Sequence, residues 1–347
     1  MKALDKFVFL LLGSLALASC ARPSVEYSDQ FLALGTIVTV TLYDVDSTLA
    51  KQAVHDVKQH LLAFTHQWHA WGDGKLGNLN RALHQGGCET VELDLVNAIK
   101  SAQLLSRDSG NRFDPGIGSL TELWQFHVEE RPELPPPSAD DVAALVAANF
   151  SVFDTVIRDG AVCASKAGLW LDLGGFAKGI AVDESIQVLQ SYGITNAIVN
   201  AGGDLRAIGR HGDRPWVIGI RNPDEEGYVA SVEVSGDESV FTSGDYERWF
   251  EWDGKRYHHI LDPATGYPAS ELRSVTIISA DAATADAAAT ALFVAGKQAW
   301  PAVAANLGVK TVLVVTTEGE YQSTTLMARR VKLENNPGIS IVIRSLP

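Results

Sequence analysis

LDLGGFAKG, residues 171–179, is the stretch of this chain that most constrains its fold and its chemistry. An apolar, strand-like approach ends at Asp172, two glycines follow, and a helical pattern begins with Lys178 near its start. Paired glycines let a ligand approach the backbone, and the free N–H groups at a helix start carry partial positive charge. The segment therefore predicts a site for a phosphate-bearing ligand, with Lys178 adding a full charge. The other interpretation is an ordinary strand-to-helix connection with Lys178 solvated in the first turn.

A second segment, TADAAAT at residues 284–290, places a carboxylate and a hydroxyl four residues apart in a run that should be helical. Asp286 and Thr290 then share one face of the helix. A carboxylate and a hydroxyl among small residues suit a hard cation such as Mg²⁺. Alternatively, Asp286 is a first-turn carboxylate favoured by the helix dipole. Taken together, the glycine segment and the acidic helix predict a pyrophosphate bridged by a metal ion.

Five motifs in one order carry a family resemblance: FDPGIGSLTELW (113–124), LDLGGFAKG (171–179), NAGGDLRAIG (200–209), HILDPATGYP (259–268) and TADAAATALF (284–293). In this order they resemble the FAD:protein FMN transferase family, also called the ApbE or thiamine biosynthesis lipoprotein family. The likeness spans about residues 31–315, and HxxDPxTGxP is its most specific motif. The resemblance implies a mixed α/β flavin transferase fold with interlocked sheet-and-helix subdomains.

The activity implied by the resemblance is Mg²⁺-dependent transfer of FMN from FAD to a threonine or serine hydroxyl of another protein, with release of AMP. FAD is then a substrate. The implied acceptor is an exported or membrane protein, in this family a subunit of a respiratory electron-transfer complex. Two other functions use the same residues: a Mg²⁺-dependent FAD pyrophosphatase that makes FMN and AMP, and a non-enzymatic flavin-binding lipoprotein.

The resemblance also implies roles for individual residues. The main-chain carbonyl of Gly175 would join Asp286 and Thr290 as metal ligands. Ala289 departs from the family, because some members carry a second metal-binding aspartate there. The implied flavin contacts are Leu34, Trp71, Arg112, Phe113, Asp114, Asp172, Lys178 and Leu261.

Three of the implied site residues have equally simple structural interpretations. His259, in the rigid turn that follows it, is the candidate base for an attacking hydroxyl because histidine titrates near neutral pH; it could instead bond the loop backbone. Asp114 precedes Pro115 and Gly116, so it could hydrogen-bond its own turn. Trp71 could be a core or surface aromatic residue.

The N-terminus is predicted to be a targeting segment. Residues 1–19 combine two lysines with a short apolar run and end before Cys20 in LASC, which resembles the lipobox of bacterial lipoproteins. Cys20 is thus the predicted lipidation site of an exported lipoprotein that is anchored to the membrane and faces the periplasm. Residues 20–30 are predicted to be the lipidated N-terminus and linker, and 31–347 the transferase domain. Ordinary signal cleavage nearby is the other interpretation.

Composition and charge narrow the classes of protein. The 347 residues are 46% hydrophobic and 20% charged, which is typical of a globular chain with a sizeable core. The formal net charge of −14 disfavours nucleic-acid binding, since such a surface repels phosphate backbones. Cys88 and Cys163 could form a disulfide in an exported protein, but nothing in the sequence requires it.

The hydrophobic periodicity predicts an α+β fold without internal repeats. Residues 31–43 alternate apolar and polar side chains, which predicts one half-buried strand. Gly72, Gly74 and Gly77 spell GxGxxG, but they follow a helical pattern and are predicted to lead into a loop. The strand-turn-helix context of a dinucleotide site is therefore missing.

Overall fold

The structure is a computed structural model that describes residues 26–128, 130–334 and 339–347. The predicted signal segment and Cys20 lie outside these residues. The helices are α1 (Ser47–Gln67), α2 (Lys75–His84), α3 (Leu93–Asp108), α4 (Gly118–Leu123), α5 (Ala139–Ala148), α6 (Gly174–Ser191), α7 (Ala282–Asn306) and α8 (Thr325–Ala328). The strands of the first half are β1 (Glu26–Ala33), β2 (Thr36–Tyr43), β3 (Cys88–Thr90), β4 (Thr155–Arg158), β5 (Ala161–Ala164), β6 (Ala197–Ala201) and β7 (Asp204–Gly209). Those of the second half are β8 (Trp216–Arg221), β9 (Tyr228–Val234), β10 (Gly236–Gly244), β11 (Trp249–Trp252), β12 (Lys255–His258), β13 (Leu272–Ser279), β14 (Thr311–Thr316), β15 (Tyr321–Ser323), β16 (Val331–Leu333) and β17 (Ile341–Ile343).

A nine-stranded sheet in the order β1-β2-β6-β7-β10-β13-β14-β15-β17 organises the fold. Neighbouring strands of this sheet are antiparallel except for the last pair, β15 and β17, which are parallel. Helices α1, α6 and α7 pack on one face through an alanine- and leucine-rich core. A three-stranded sheet, β16-β9-β8, covers part of the other face. The α+β prediction is confirmed, and the middle strands of the central sheet are buried on both faces.

The N-terminal strand differs from its prediction. Residues 31–43 form two antiparallel strands rather than one, and β1 begins at Glu26, inside the stretch predicted to be a linker. The chain reverses at Leu34 and Gly35, which have φ of 55° and 69°. A reversal this tight leaves the alternation of side chains almost unbroken, so the sequence pattern alone does not reveal it. Glu26 pairs with Tyr43, which fixes the beginning of the described chain at the edge of the sheet.

Two further glycine-dependent features shape the helical layer. Gly296 has φ of 76° and breaks α7 into two segments. The GxGxxG stretch connects two helices: Gly74 precedes α2, so the prediction that it leads into a loop is wrong. Gly77 packs directly against the backbone of Gly72, which leaves no room for a side chain. Because no strand precedes it, the dinucleotide interpretation stays excluded.

A small sheet, β3-β5-β4, lies beside α2 and carries a disulfide. Cys88 and Cys163 are directly opposite each other on β3 and β5, and their sulfur atoms are bonded. The disulfide that the sequence left open is thus present. It joins two strands 75 residues apart, and β5 leads into the segment that approaches α6. Among the helices of the described part of the chain, none has the length and apolarity needed to cross a bilayer.

Candidate active site

The start of α6 is the centre of the candidate site. The approach that the sequence predicts as strand-like forms no strand in the structure. Instead, the side chain of Asn80 accepts from Leu171 N at 2.9 Å and donates to Leu171 O at 2.8 Å. Asp172 then accepts from Gly174 N at 2.9 Å and from Thr121 Oγ1 at 3.0 Å. A buried amide side chain therefore replaces a strand partner and holds the entrance of the helix rigidly.

Helix α7 crosses α6 where the three predicted metal ligands lie. A Cβ built on Gly175 would lie 3.1 Å from Thr290 Oγ1, so these residues are immediate neighbours. One turn further along, Gly179 N donates to Asp286 Oδ2 at 2.9 Å. Gly179 packs against the backbone of Ala282 with no space for a side chain, which explains how closely the helices approach. The structure thus brings Gly175, Asp286 and Thr290 together, as the resemblance implies.

Lys178 faces carboxylates rather than open solvent. Its Nζ lies 2.7 Å from Asp204 Oδ2, at the turn between β6 and β7, and Glu247 and Asp286 are close enough to act on its charge. These carboxylates raise the pKa of Lys178, while burial alone would lower it. Burial is the main cause that raises the pKa values of both Glu247 and Asp286, and Lys178 partly offsets it. The cluster therefore holds more acidic groups than basic ones, an environment that favours a bound cation.

Two members of this cluster, Asp204 and Glu247, are missing from the sequence prediction. Both lie in segments whose polar turns are visible in the sequence, NAGGDLRAIG (200–209) and SGDYERWF (243–250). Their signal is a charged residue in or just after a glycine-containing turn: Asp204 directly follows Gly203, and Glu247 is three residues after Gly244. Such residues are common at surfaces. Only the sheet order, which places β10 beside β7, brings these turns to Lys178.

His259 lies next to this cluster, in an environment unlike the one predicted for it. Burial, with Arg248 as the next cause, lowers the pKa of His259 to about 3, so the prediction of titration near neutral pH is wrong. Its Nδ1 is 3.3 Å from the carbonyl oxygen of Arg248, and its backbone N–H donates to the same oxygen at 3.0 Å. Because a carbonyl only accepts, Nδ1 carries the proton and Nε2 retains a lone pair. The side chain is thus a neutral hydrogen-bond acceptor at pH 7.

The implied flavin contacts fall into two sets. Phe113, Asp172 and Lys178 lie around the start of α6, where a Cβ on Gly175 would be 3.8 Å from the Phe113 ring. Trp71 lies in an aromatic group further out: its ring centroid is 6.4 Å from Trp170 and 5.2 Å from His127. The indole N–H of Trp71 is buried and has no hydrogen-bond partner among the described residues, as expected for a group that awaits a ligand.

The remaining implied contacts have clear structural surroundings. Asp114 is buried and accepts from Gly116 N and Val152 N, both at 2.8 Å, and from Ser151 Oγ at 2.5 Å. These bonds give it the turn-holding role that the sequence left open. Leu34 is the left-handed residue of the β1–β2 turn, tied to Thr65, and Arg112 is half-buried beside Phe113. Leu261 is buried in a separate cluster with Trp124 and Val142.

The residues predicted to hold Mg²⁺ fit a hard cation. They supply a carboxylate, a hydroxyl and a main-chain carbonyl, and such oxygens are the usual ligands of Mg²⁺. Within the described ranges there is no group of three or more histidine, cysteine, aspartate or glutamate side chains arranged around one point. Ala289 is buried and adds no oxygen, so water would complete the coordination. The burial of Asp286, which disfavours its ionised form, indicates a carboxylate that a cation would stabilise.

Comparison with known proteins assigns the chain to a protein family. The model of the ApbE family matches residues 34–313, and the chain belongs to this family. It is 36% identical to the FAD:protein FMN transferase of Rhodobacter capsulatus over 342 residues, which is 97% of this chain and 65% of that one. It is 35% identical to the FAD:protein FMN transferase of Treponema pallidum, covering 78% of this chain and 79% of the relative.

Solved structures agree with this assignment. The ApbE protein of Thermotoga maritima superposes with a TM-score of 0.81 at 33% identity, covering 88% of this chain and 99% of the other. The flavin transferase ApbE of Vibrio cholerae superposes with a TM-score of 0.77 at 27% identity, covering 89% of this chain and 100% of the other. The family resemblance inferred from the five motifs is confirmed. The chain spans about two thirds of the length of the Rhodobacter relative.

Proposed function

We propose that this protein transfers FMN from FAD to a threonine or serine hydroxyl of an acceptor protein, releases AMP, and requires Mg²⁺. The observation that carries the proposal is the crossing of α6 and α7, which brings Gly175, Asp286 and Thr290 to the helix start beside Lys178. Membership of a family whose relatives are named FAD:protein FMN transferases supports the same reaction.

Gly175, Asp286 and Thr290 would hold the metal through the carbonyl, carboxylate and hydroxyl oxygens. When bound, Mg²⁺ would neutralise charge on the pyrophosphate of FAD and orient it. The N–H groups at the start of α6 favour the same anionic group. Trp71 and Phe113 supply aromatic surface for the flavin ring.

His259 is the residue suited to move a proton. Its neutral Nε2 accepts the proton of the acceptor hydroxyl as the hydroxyl oxygen forms a bond to the FMN phosphorus. The bond between that phosphorus and the bridging oxygen of the pyrophosphate breaks, and the oxygen leaves on AMP. Atoms and charge balance without any redox step. Because burial lowers the pKa of His259, its ring is neutral at pH 7 and the Nε2 lone pair is free to accept a proton.

The cellular setting belongs to the same proposal. Cys20 would carry the lipid anchor of an exported lipoprotein facing the periplasm, and the acceptor would be an exported or membrane subunit of an electron-transfer complex. These features rest on the lipobox-like LASC sequence and on family likeness. A water molecule in place of the acceptor hydroxyl would make the same site an FAD pyrophosphatase, and the experiment below separates the two outcomes.

The test combines the purified chain with FAD, an acceptor domain that contains a threonine motif, and either Mg²⁺ or EDTA. Intact mass of the acceptor and chromatography of AMP are the readouts. We expect a metal-dependent gain of one FMN per acceptor and an equal amount of AMP. Asp286→Ala should lose both products while remaining folded, whereas the control Asp140→Ala, on the exposed start of α5, should retain them.

Other outcomes have definite meanings. AMP and free FMN without modified acceptor would favour the pyrophosphatase. Flavin binding without either product would favour a flavin-binding lipoprotein. Full transfer by Asp286→Ala in the presence of EDTA would contradict the metal role.

A further inference from the structure

The described chain begins beside a cluster of basic residues, on a protein that is otherwise strongly acidic. Glu26, the first residue of β1, contacts His211 Nε2 at 2.6 Å. His211 in turn packs against Tyr43 and Trp216, with ring centroids 4.4 and 4.9 Å away. The start of β1 is thereby fixed against the segment 210–215, which connects β7 to β8.

Arg210 and Pro215 of that segment line a surface cavity of about 580 Å³, and three further cationic side chains from residues 329–332 complete its lining. Glu233 and Glu238 also lie there, but each is already paired: Arg330 binds Glu238 at 2.7 and 2.8 Å, and Lys332 binds Glu233. The cavity thus has a surplus of two positive charges while the chain carries a net −14. We call this the basic surface; its cations are Arg210, Arg329, Arg330 and Lys332.

Two arginines of the basic surface provide the surplus. Arg210 is exposed and donates to the main-chain carbonyl of Asp213 at 2.8 Å. Because a carbonyl has no formal charge, this contact does not neutralise the guanidinium. Arg329 is exposed, and forms no ion pair with any residue of the described ranges. Guanidinium groups with this freedom suit phosphate, which they bind through paired N–H donors.

We propose that the basic surface docks on anionic phospholipid headgroups, so that the anchored protein lies with this face toward the membrane. The inference rests on the lipid anchor at Cys20 in the proposed function. Five residues separate Cys20 from Glu26 in the sequence, and the six residue-to-residue steps between them reach about 20 Å at most. Because Glu26 contacts His211, the residue after Arg210, so short a tether keeps the basic surface close to the headgroups. Attraction between surface cations and an anionic leaflet, roughly 1 kcal/mol per arginine, selects this face over the acidic remainder.

The experiment uses the full lipidated chain, with lipid on Cys20 verified by mass, in vesicles of phosphatidylcholine with or without phosphatidylglycerol. Hydrogen–deuterium exchange of residues 209–215 and 329–333 is the readout. Both segments should exchange more slowly in the anionic vesicles than in the neutral ones. Arg210→Glu combined with Arg329→Glu should remove the difference, since losing two cations changes the docked-to-undocked ratio about thirtyfold.

The matched control is Lys51→Glu with Lys100→Glu, which changes the net charge equally at exposed positions of α1 and α3. Equal loss of protection in the control would overturn the proposal, as would protection in neutral vesicles. Protection by inorganic phosphate without vesicles would also overturn it, because it would assign the site to a free anion. Unlipidated Cys20 would contradict both the anchor and the docking, whereas failed docking with lipidated Cys20 leaves the anchor and the transferase reaction standing.

Discussion

At the scale of single residues, two adjacent histidines contact a carbonyl oxygen through different ring nitrogens. His258 Nε2 is 2.6 Å from the carbonyl oxygen of Ala269, and its Nδ1 accepts from Ile260 N at 3.3 Å. In His259 the carbonyl contact is at Nδ1 instead. We therefore expect the Nε2–H tautomer for His258 and the Nδ1–H tautomer for His259, both neutral from pH 8 to 5.

Long-range proton–nitrogen NMR distinguishes the two tautomers, and His259→Gln assigns the signals. Burial lowers the pKa of His258 to about 4 and that of His259 to about 3. A titration midpoint near 6.5 for either ring would contradict the burial that the structure gives them.

The low pKa of His258 also predicts how stability changes with pH. Between the unfolded pKa near 6.5 and the folded value of about 4, the unfolded chain binds more protons, so stability falls as the pH falls through this window. From pH 7.5 to 5 this histidine should cost about 2 kcal/mol of the free energy of unfolding. Urea unfolding at both pH values tests this: His258→Gln should lose less stability than the wild type over the same interval. Identical losses would show that His258 does not contribute.

At the scale of elements, Asp183 connects the two helices that form the site. From α6 it accepts from Ala282 N at 3.1 Å and from Ala283 N at 3.3 Å, and so caps the start of α7, while it also pairs with Arg206 of β7. Asp183→Ala leaves two helix-start N–H groups without an acceptor, and we expect a loss of about 1–3 kcal/mol in the free energy of unfolding.

Asp183→Asn retains an acceptor oxygen and should lose less stability than Asp183→Ala. The measurement is urea unfolding, with hydrogen exchange of residues 282–286 to localise the effect. If the alanine variant were as stable as the wild type, with unchanged exchange in the first turn of α7, the capping role would be refuted.

The Cys88–Cys163 disulfide acts on a second element, the small sheet before the α6 entrance. Its sequence separation of 75 residues means that reduction frees a long loop in the unfolded chain. We expect Cys88→Ala combined with Cys163→Ala to lower the free energy of unfolding by roughly 2–5 kcal/mol. Reduced wild type should match the variant in urea unfolding. Equal stability of the reduced and oxidised wild type would indicate that the disulfide adds nothing.

At the scale of the whole molecule, the sequence predicts local features far better than the meeting of distant ones. The glycine segment at 171–179 and the shared helix face of Asp286 and Thr290 can each be predicted from the sequence, because each signal is local, whereas the metal role of Gly175 comes only from the family resemblance. Asp204 and Glu247 join them only through the order of the central sheet, which no short pattern encodes. The low pKa of His259 likewise comes from burial and nearby cations, properties of the assembled fold.

Because α6 and α7 both pack on the central sheet, ligands bound where they cross should stabilise the whole fold. A ligand at 100 times its dissociation constant raises the free energy of unfolding by about 2.7 kcal/mol when it binds only the folded state. We expect FAD with Mg²⁺ to raise the thermal midpoint more than the two separate effects combined, because in the proposed site the pyrophosphate and the protein oxygens would both bind the metal. Asp286→Ala should keep the rise in thermal midpoint that FAD alone causes and lose the further rise that needs Mg²⁺. The comparison requires no acceptor and no turnover, so it isolates binding from chemistry. An Mg²⁺-dependent shift that survives in Asp286→Ala would place the metal elsewhere on the chain.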